Sequence, residues 1–182
     1  MASKRAVHVY WFYDGALSFA GALHAATLAL YYIQMVGMNP LQLVLVGTVL
    51  EGTILLFEIP TGVVADTYGR RRSVIIGTLI IGAAFLLEGA RPLVWLVLLA
   101  EAIRGFGWTF LSGALDAWLA DEAGEQALGA VYLRSGQIAR LCSLAGIGVG
   151  VALTQISLAA PVLTGGVVYL LAAVGLIWRM PE

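Results

Sequence analysis

Glu101 and Arg104 stand three residues apart inside a long apolar run. On a helix that spacing puts both on one face, where they can neutralise each other. Such a pair serves either to couple protons and orient a charged substrate, or to fix helix packing; both readings stay open. Asp14 sits among Tyr10, Trp11, Phe12 and Tyr13. An acid set against aromatics can hold a proton or meet a cationic substrate, whereas close to an interface it stays solvated. Glu51 lies in mid-run, and Glu58 follows seven residues on, on about the same face. Glu51 is the better proton or substrate candidate, because Glu58 adjoins Pro60 and can bond backbone groups near the kink. Ionisable groups at a bilayer centre cost about 2.5–3.5 kcal/mol, so they face a cavity or each other. On that ground Asp116 is expected to pair with Arg140, while Glu88 and Arg91 are expected to be solvated at an outer interface.

Other chemistry is missing from the chain. There is no Ser/His/Asp set, and His8 and His24 each stand alone. His24 reads as a hydrogen-bonded packing residue. The single cysteine, Cys142, has no companion for a disulfide or a metal site and reads as a small core or lipid-facing residue. No GxxxxGK[ST] loop is present to cradle phosphate. The expectation is therefore not an enzyme, with no cofactor, no metal and no nucleic-acid partner.

These residues must be positioned by helices in lipid. The chain is 60% hydrophobic and 12% charged, with a mean hydropathy of +0.91. Soluble domains carry about 45–50% apolar and about 25% charged residues. A helix needs about 20 apolar residues to cross the hydrocarbon. Six runs qualify, at about Val9–Val36, Leu41–Ala65, Ser73–Gly89, Leu93–Ala120, Gly136–Ser157 and Pro161–Trp178. The expected fold is an all-α membrane protein of six transmembrane helices, antiparallel in sequence order because the connections are short. No cleavable signal peptide is expected, since the run after Lys4 and Arg5 is longer than a signal core of about 7–15 residues. Lys4, Arg5, Arg70, Arg71, Arg72, Arg134 and Arg179 fall on one side of this arrangement, and only Arg91 on the other. Basic residues mark the cytoplasmic side. Both termini are expected there, in a protein of the plasma (inner) membrane. In the fifth run, Gly146, Gly148 and Gly150 allow close approach of another helix.

The turn between the second and third runs reads Gly62-x-x-x-Asp66-x-x-Gly69-Arg70-Arg71. Gly62 lets a helix come close, Gly69 permits a tight turn, and Asp66 can cap a facing helix or pair with Arg70. Arg71 and Arg72 read as topology anchors beside anionic lipid. The spacing resembles the loop between the second and third helices of the major facilitator superfamily, G-x-x-x-D-(R/K)-x-G-R-(R/K), with Thr67 departing at one position. The resemblance covers the whole chain as the N-terminal six-helix half of such a transporter. It implies a cytoplasmic gate of Gly62, Asp66, Gly69, Arg70 and Arg71, joined by Asp121 through Arg70. It also likens Arg104 to the family's fourth-helix arginine. The fifth run lacks the Gly-Pro motif of the drug–proton antiporters.

Transporters of this family have two six-helix halves with the substrate path between them. The resemblance therefore implies a second half as partner, from the same gene, a split partner or a homodimer. The implied activity is secondary active transport of a small molecule by alternating access, coupled to protons, with drug or metabolite efflux as one form. The other class of function in view is a non-transporting membrane subunit with an assembly or regulatory role.

Overall fold

The computed structural model describes residues 4–181, and nearly all of them are helical. The helices are α1 (Lys4–Ala25), α2 (Leu28–Leu30), a π-helical segment (Tyr31–Val36), α3 (Pro40–Tyr68), α4 (Arg70–Ala90), α5 (Val94–Leu111), α6 (Ala114–Ala123), α7 (Glu125–Leu153) and α8 (Ala160–Arg179). Grouped by continuity they make six spans long and apolar enough to cross a membrane: Lys4–Val36, Pro40–Tyr68, Arg70–Ala90, Val94–Ala123, Gln126–Leu153 and Ala160–Arg179. The fifth corrects the sequence reading. Its helix, α7, begins at Glu125, directly after Gly124 and eleven residues before Gly136, and ends at Leu153. Gly124, with φ +77, makes the turn, and the mostly apolar residues from Ala127 to Leu133 continue the helix from there.

Local chemistry sets the joints. Asn39 caps α3 with a reciprocal bond pair, its side chain accepting from the Gln42 amide while Gln42 accepts from the Asn39 amide, both at 2.9 Å. Pro40 opens the helix where no amide is needed. Gly69 is the single residue between α3 and α4, with φ +99. A Cβ is strained there, which explains glycine in the turn.

Consecutive spans run in opposite directions. Arg5 donates to the Arg179 carbonyl at 3.2 Å, joining the start of span one to the end of span six. At the opposite end the Tyr31 hydroxyl donates to the Glu88 carbonyl at 2.7 Å, joining the ends of spans one and three. Span one packs chiefly on spans five and six, span four on spans two and three, and span three on span six. Exchanging one with four, two with five and three with six returns the same pairs. With alternating direction, the first three spans and the last three form an inverted repeat in packing. Spans one and four, which the exchange relates, are both interrupted. Span one leaves α-helix at Ala26–Thr27, and span four breaks at Ser112–Gly113, where Gly113 has φ +72.

Glycine makes the seams close. A Cβ on Gly146 would lie 2.4 Å from the Phe19 carbonyl oxygen, and one on Gly150 would lie 2.1 Å from that of Leu23, so α7 touches α1 backbone to backbone. Gly148 of the same motif faces open space. On the exchanged seam, Gly105 of α5 meets the Leu50 carbonyl of α3 at 2.7 Å by the same measure. Gly150→Ala is therefore expected to lower the thermal midpoint in detergent, by an overpacking penalty of about 1–3 kcal/mol. Gly148→Ala should leave it unchanged; equal midpoints for the two variants would contradict the seam.

Candidate functional site

Three helical segments converge away from the basic end of the bundle. The π-helical turn supplies Tyr32, α4 supplies Glu88, and α5 supplies Glu101 and Arg104. The side chains of Glu88, Glu101 and Arg104 are 1%, 0% and 9% exposed. Arg104 Nη1 donates to Glu88 Oε2 at 3.2 Å. Its Nη2 donates to Glu101 Oε1 as the pair expected from the three-residue spacing. The Tyr32 hydroxyl lies 2.6 Å from Glu88 Oε1 and 2.9 Å from Glu101 Oε1. The Arg104 guanidinium carbon sits 4.8 Å from the centre of the Phe85 ring, a cation–π contact. Phe85 in turn packs on His24 and Tyr169, with ring centres 4.3 Å and 5.4 Å away. His24 points Nδ1 at the Ala20 carbonyl, 3.2 Å away, as a packing residue does.

Glu88 corrects the sequence reading. It is buried, not solvated, because the end of span one folds over it through Tyr31 and Tyr32. Glu101–Arg104 is thus one limb of a triad with two acids and one base. Glu101 Oε2 has no hydrogen-bond partner among the described residues. Neither tyrosine stood out in the sequence. Their only signal is adjacency, Tyr31-Tyr32, near the end of a span.

The loop residues gather at the other end, around a cleft of about 620 Å³ lined by Asp66, Gly69, Arg70, Arg71, Arg72, Trp118 and Asp121 among others. Arg70 pairs with Asp121 and donates to the Ala117 carbonyl at 2.8 Å, fastening span three to the end of span four. Asp66 is exposed on the cleft and, among the described residues, neither joins that pair nor caps a helix. Gly62 has nothing within 4 Å of a Cβ position, so no helix of the described residues exploits its missing side chain. Arg71 does more than anchor: it donates to the Ile177 and Met180 carbonyls, both at 2.8 Å, at the end of α8.

The remaining acids separate. Asp14 is half-buried and accepts a hydrogen bond from Ser135 of α7. Asp116 accepts from the Tyr132 hydroxyl at 3.0 Å, and not from Arg140 as expected; Arg140 lies eight residues, about two helical turns, further along α7. Tyr132 also packs edge-on against Tyr10, 5.9 Å between centres. Glu51 is exposed on α3 beside Val44, Thr48 and Leu55. Glu58 is exposed and accepts from Ser112 at 3.3 Å. No group of three or more His, Cys, Asp or Glu suited to a metal occurs among the described residues.

No protein-family model matches the sequence, and no curated protein matches it either.

The two ion-pair sites should differ sharply in energetic weight. Removing one partner of a buried pair costs about 3–5 kcal/mol because a charge is left alone. An exposed pair contributes about 0–1 kcal/mol, and Arg70 and Asp121 are 34% and 67% exposed. Arg104→Met is expected to abolish a cooperative thermal transition in detergent, whereas Asp121→Asn should retain one near the wild-type midpoint. The reverse order would contradict the burial of the triad.

Proposed function

We propose that the chain is a six-helix half of a secondary active transporter of the major facilitator type, moving a small molecule by alternating access with protons as the coupling ion. The observation that carries this reading is the inverted packing of the two three-span units, with the first span of each, one and four, interrupted. Interrupted helices at the interface of inverted repeats are where transporters of this architecture place substrate and ion sites. The loop spacing from Gly62 to Arg71, and the Arg70–Asp121 pair that the resemblance implied, support the same reading.

Spans two and five supply the surface for a second half. They are 6% and 11% buried over their apolar windows, against 33–56% for the other four. Glu51 and Glu58 lie on the exposed part of span two, where lipid disfavours carboxylates. A protein surface enclosing a wetted path suits them. The partner is a second six-helix half, whether from the same gene, a split partner or another copy. Glu51 on that face of span two and Asp14, bonded by Ser135 between spans one and five, are the substrate or proton candidates; Glu101 and Arg104 lie in the buried triad instead. Arg70, with Asp121, and Asp66 on the same cleft form the gate, which on this reading lies on the cytoplasmic side of the plasma membrane together with both termini.

The test is a proton-flux assay. The protein is reconstituted in liposomes containing a pH-sensitive dye and challenged with a panel of small organic cations, carboxylates and sugars. At least one compound should drive a proton flux that Asp66→Asn, folded to the same yield, loses. A folded protein that moves no protons with any compound would favour the non-transporting subunit.

A further inference from the structure

Hydrogen counting at Tyr32 adds a specific site to that picture. The tyrosine hydroxyl stands within 2.9 Å of oxygen atoms on two different carboxyl groups. A hydroxyl carries one hydrogen and can donate to one of them only. An ionised carboxylate has no hydrogen to give back. The two contacts are two full hydrogen bonds, and not one hydrogen shared between acceptors, only if one carboxyl is protonated and donates to the tyrosine oxygen. Charge points the same way: two buried acids face a single guanidinium, and two carboxylates sharing such a place do not both ionise.

Geometry says which acid holds the hydrogen. Arg104 sits closer to Glu101 than to Glu88, whose contact is 3.2 Å. The shorter tyrosine contact, 2.6 Å, is to Glu88. The arrangement fits Glu101 as the ionised partner of Arg104, with Glu88 as a neutral acid donating to Tyr32, which donates to Glu101. We propose that Glu88 is a proton-binding residue and that Tyr32 is a positioning residue, a latch that closes the end of span one only while that proton is bound. The proposal rests on the transport reading only in naming this proton as the coupling ion.

The step balances. Glu88 gives its hydrogen to the Tyr32 oxygen as Tyr32 passes its own hydrogen to Glu101 Oε1. One O–H bond breaks and one forms at each transfer, the negative charge moves from Glu101 to Glu88, and the site with Arg104 stays neutral throughout. Loss of the proton to water leaves two carboxylates and one net negative charge. Tyr32 then bonds one acid only. Tyr32 lies on the π-helical turn just past the break at Ala26–Thr27, in a segment held to α4 by Tyr31 and Tyr32. π-turns and helix breaks are places where a span can rearrange. The other titratable groups facing the triad are Tyr31 of the same turn, His24 of α1 and Tyr169 of α8, which reach it through Glu88's carbonyl or Phe85. None of them contacts either carboxyl oxygen of Glu88 by hydrogen bond.

Two readouts on the full chain in liposomes test this. The first is the infrared stretch of a protonated carboxylic acid. The second is thiol labelling of Met38→Cys in a Cys142→Ser background; Met38 is buried and its amide donates to the Tyr32 carbonyl at 3.0 Å. Wild type should show one hydrogen-bonded acid band that disappears on raising pH, with labelling accelerating over the same interval. Glu88→Gln supplies a neutral donor to Tyr32, so it should lack the band and label slowly at every pH. Tyr32→Phe keeps two acids and one arginine, so the band should persist at a shifted frequency while labelling is fast throughout. Absence of an acid band in wild type, or unchanged pH-dependent labelling in Glu88→Gln, would overturn the proposal. Neither readout needs a substrate: a proton bound without any flux leaves the latch standing and removes transport, and flux without the band does the opposite.

Discussion

Arg104 holds two carboxyl groups at once in the interior of a bundle built for lipid. A guanidinium and two acids out of water are tolerated only when each has partners, since a lone charge in hydrocarbon is costly. That requirement dictates the end of the molecule around it. Span three must end where Glu88 reaches Arg104, span four must begin about two turns before Glu101, and span one must bend so that Tyr32 covers both acids. The departure from α-helix at Ala26–Thr27 and the π-helical turn beyond it are how span one reaches them. Glu88 and Arg104 also lock α4 to α5 directly, and these two helices share one of the larger contacts of the bundle.

The opposite end is tied by surface chemistry of another kind. Arg70 donates to the Ala117 carbonyl within α6, and Arg5 and Arg71 donate to backbone carbonyls in the last turn of α8. Those last-turn carbonyls lack helical partners and carry the negative end of the helix dipole, so arginine suits them. Bonds of this sort are exposed and weaker than the triad. The bundle is therefore firmly closed at the Glu88 end and lightly fastened at the Arg70 end. Glycine seams between α1 and α7, and between α3 and α5, keep backbones close enough for packing to hold in lipid, where no hydrophobic effect drives helices together.

Six apolar runs were legible in the sequence because lipid demands long uninterrupted hydropathy, and short connections left little freedom in their order. The i,i+3 pair Glu101–Arg104 was legible because helical geometry is local. Arg70 with Asp121 followed from a resemblance to a known loop. What the residues did not disclose was long-range. Glu88 looked interfacial because it lies three residues before Arg91-Pro92; only the fold of span one over it, fifty-odd residues away in sequence, makes it interior. Asp116 was misassigned for the same reason: a choice between Tyr132 and Arg140, both on α7, depends on the rotation of that helix, which no spacing rule fixes. The start of α7 lies at Glu125, directly after the Gly124 turn, and its first turns already carry apolar residues, Leu128, Val131 and Leu133 among them.

The measurement that bears most directly on the triad is solid-state NMR of the protein in bilayers, with nitrogen-labelled arginine and carbon-labelled glutamate. Dipolar coupling between the two labels selects carboxyl carbons next to a guanidinium. The structure predicts two glutamate carboxyls coupled to one arginine, with chemical shifts that mark one as ionised and the other as protonated. A single coupled carboxyl, or two that are both ionised at neutral pH, would contradict it.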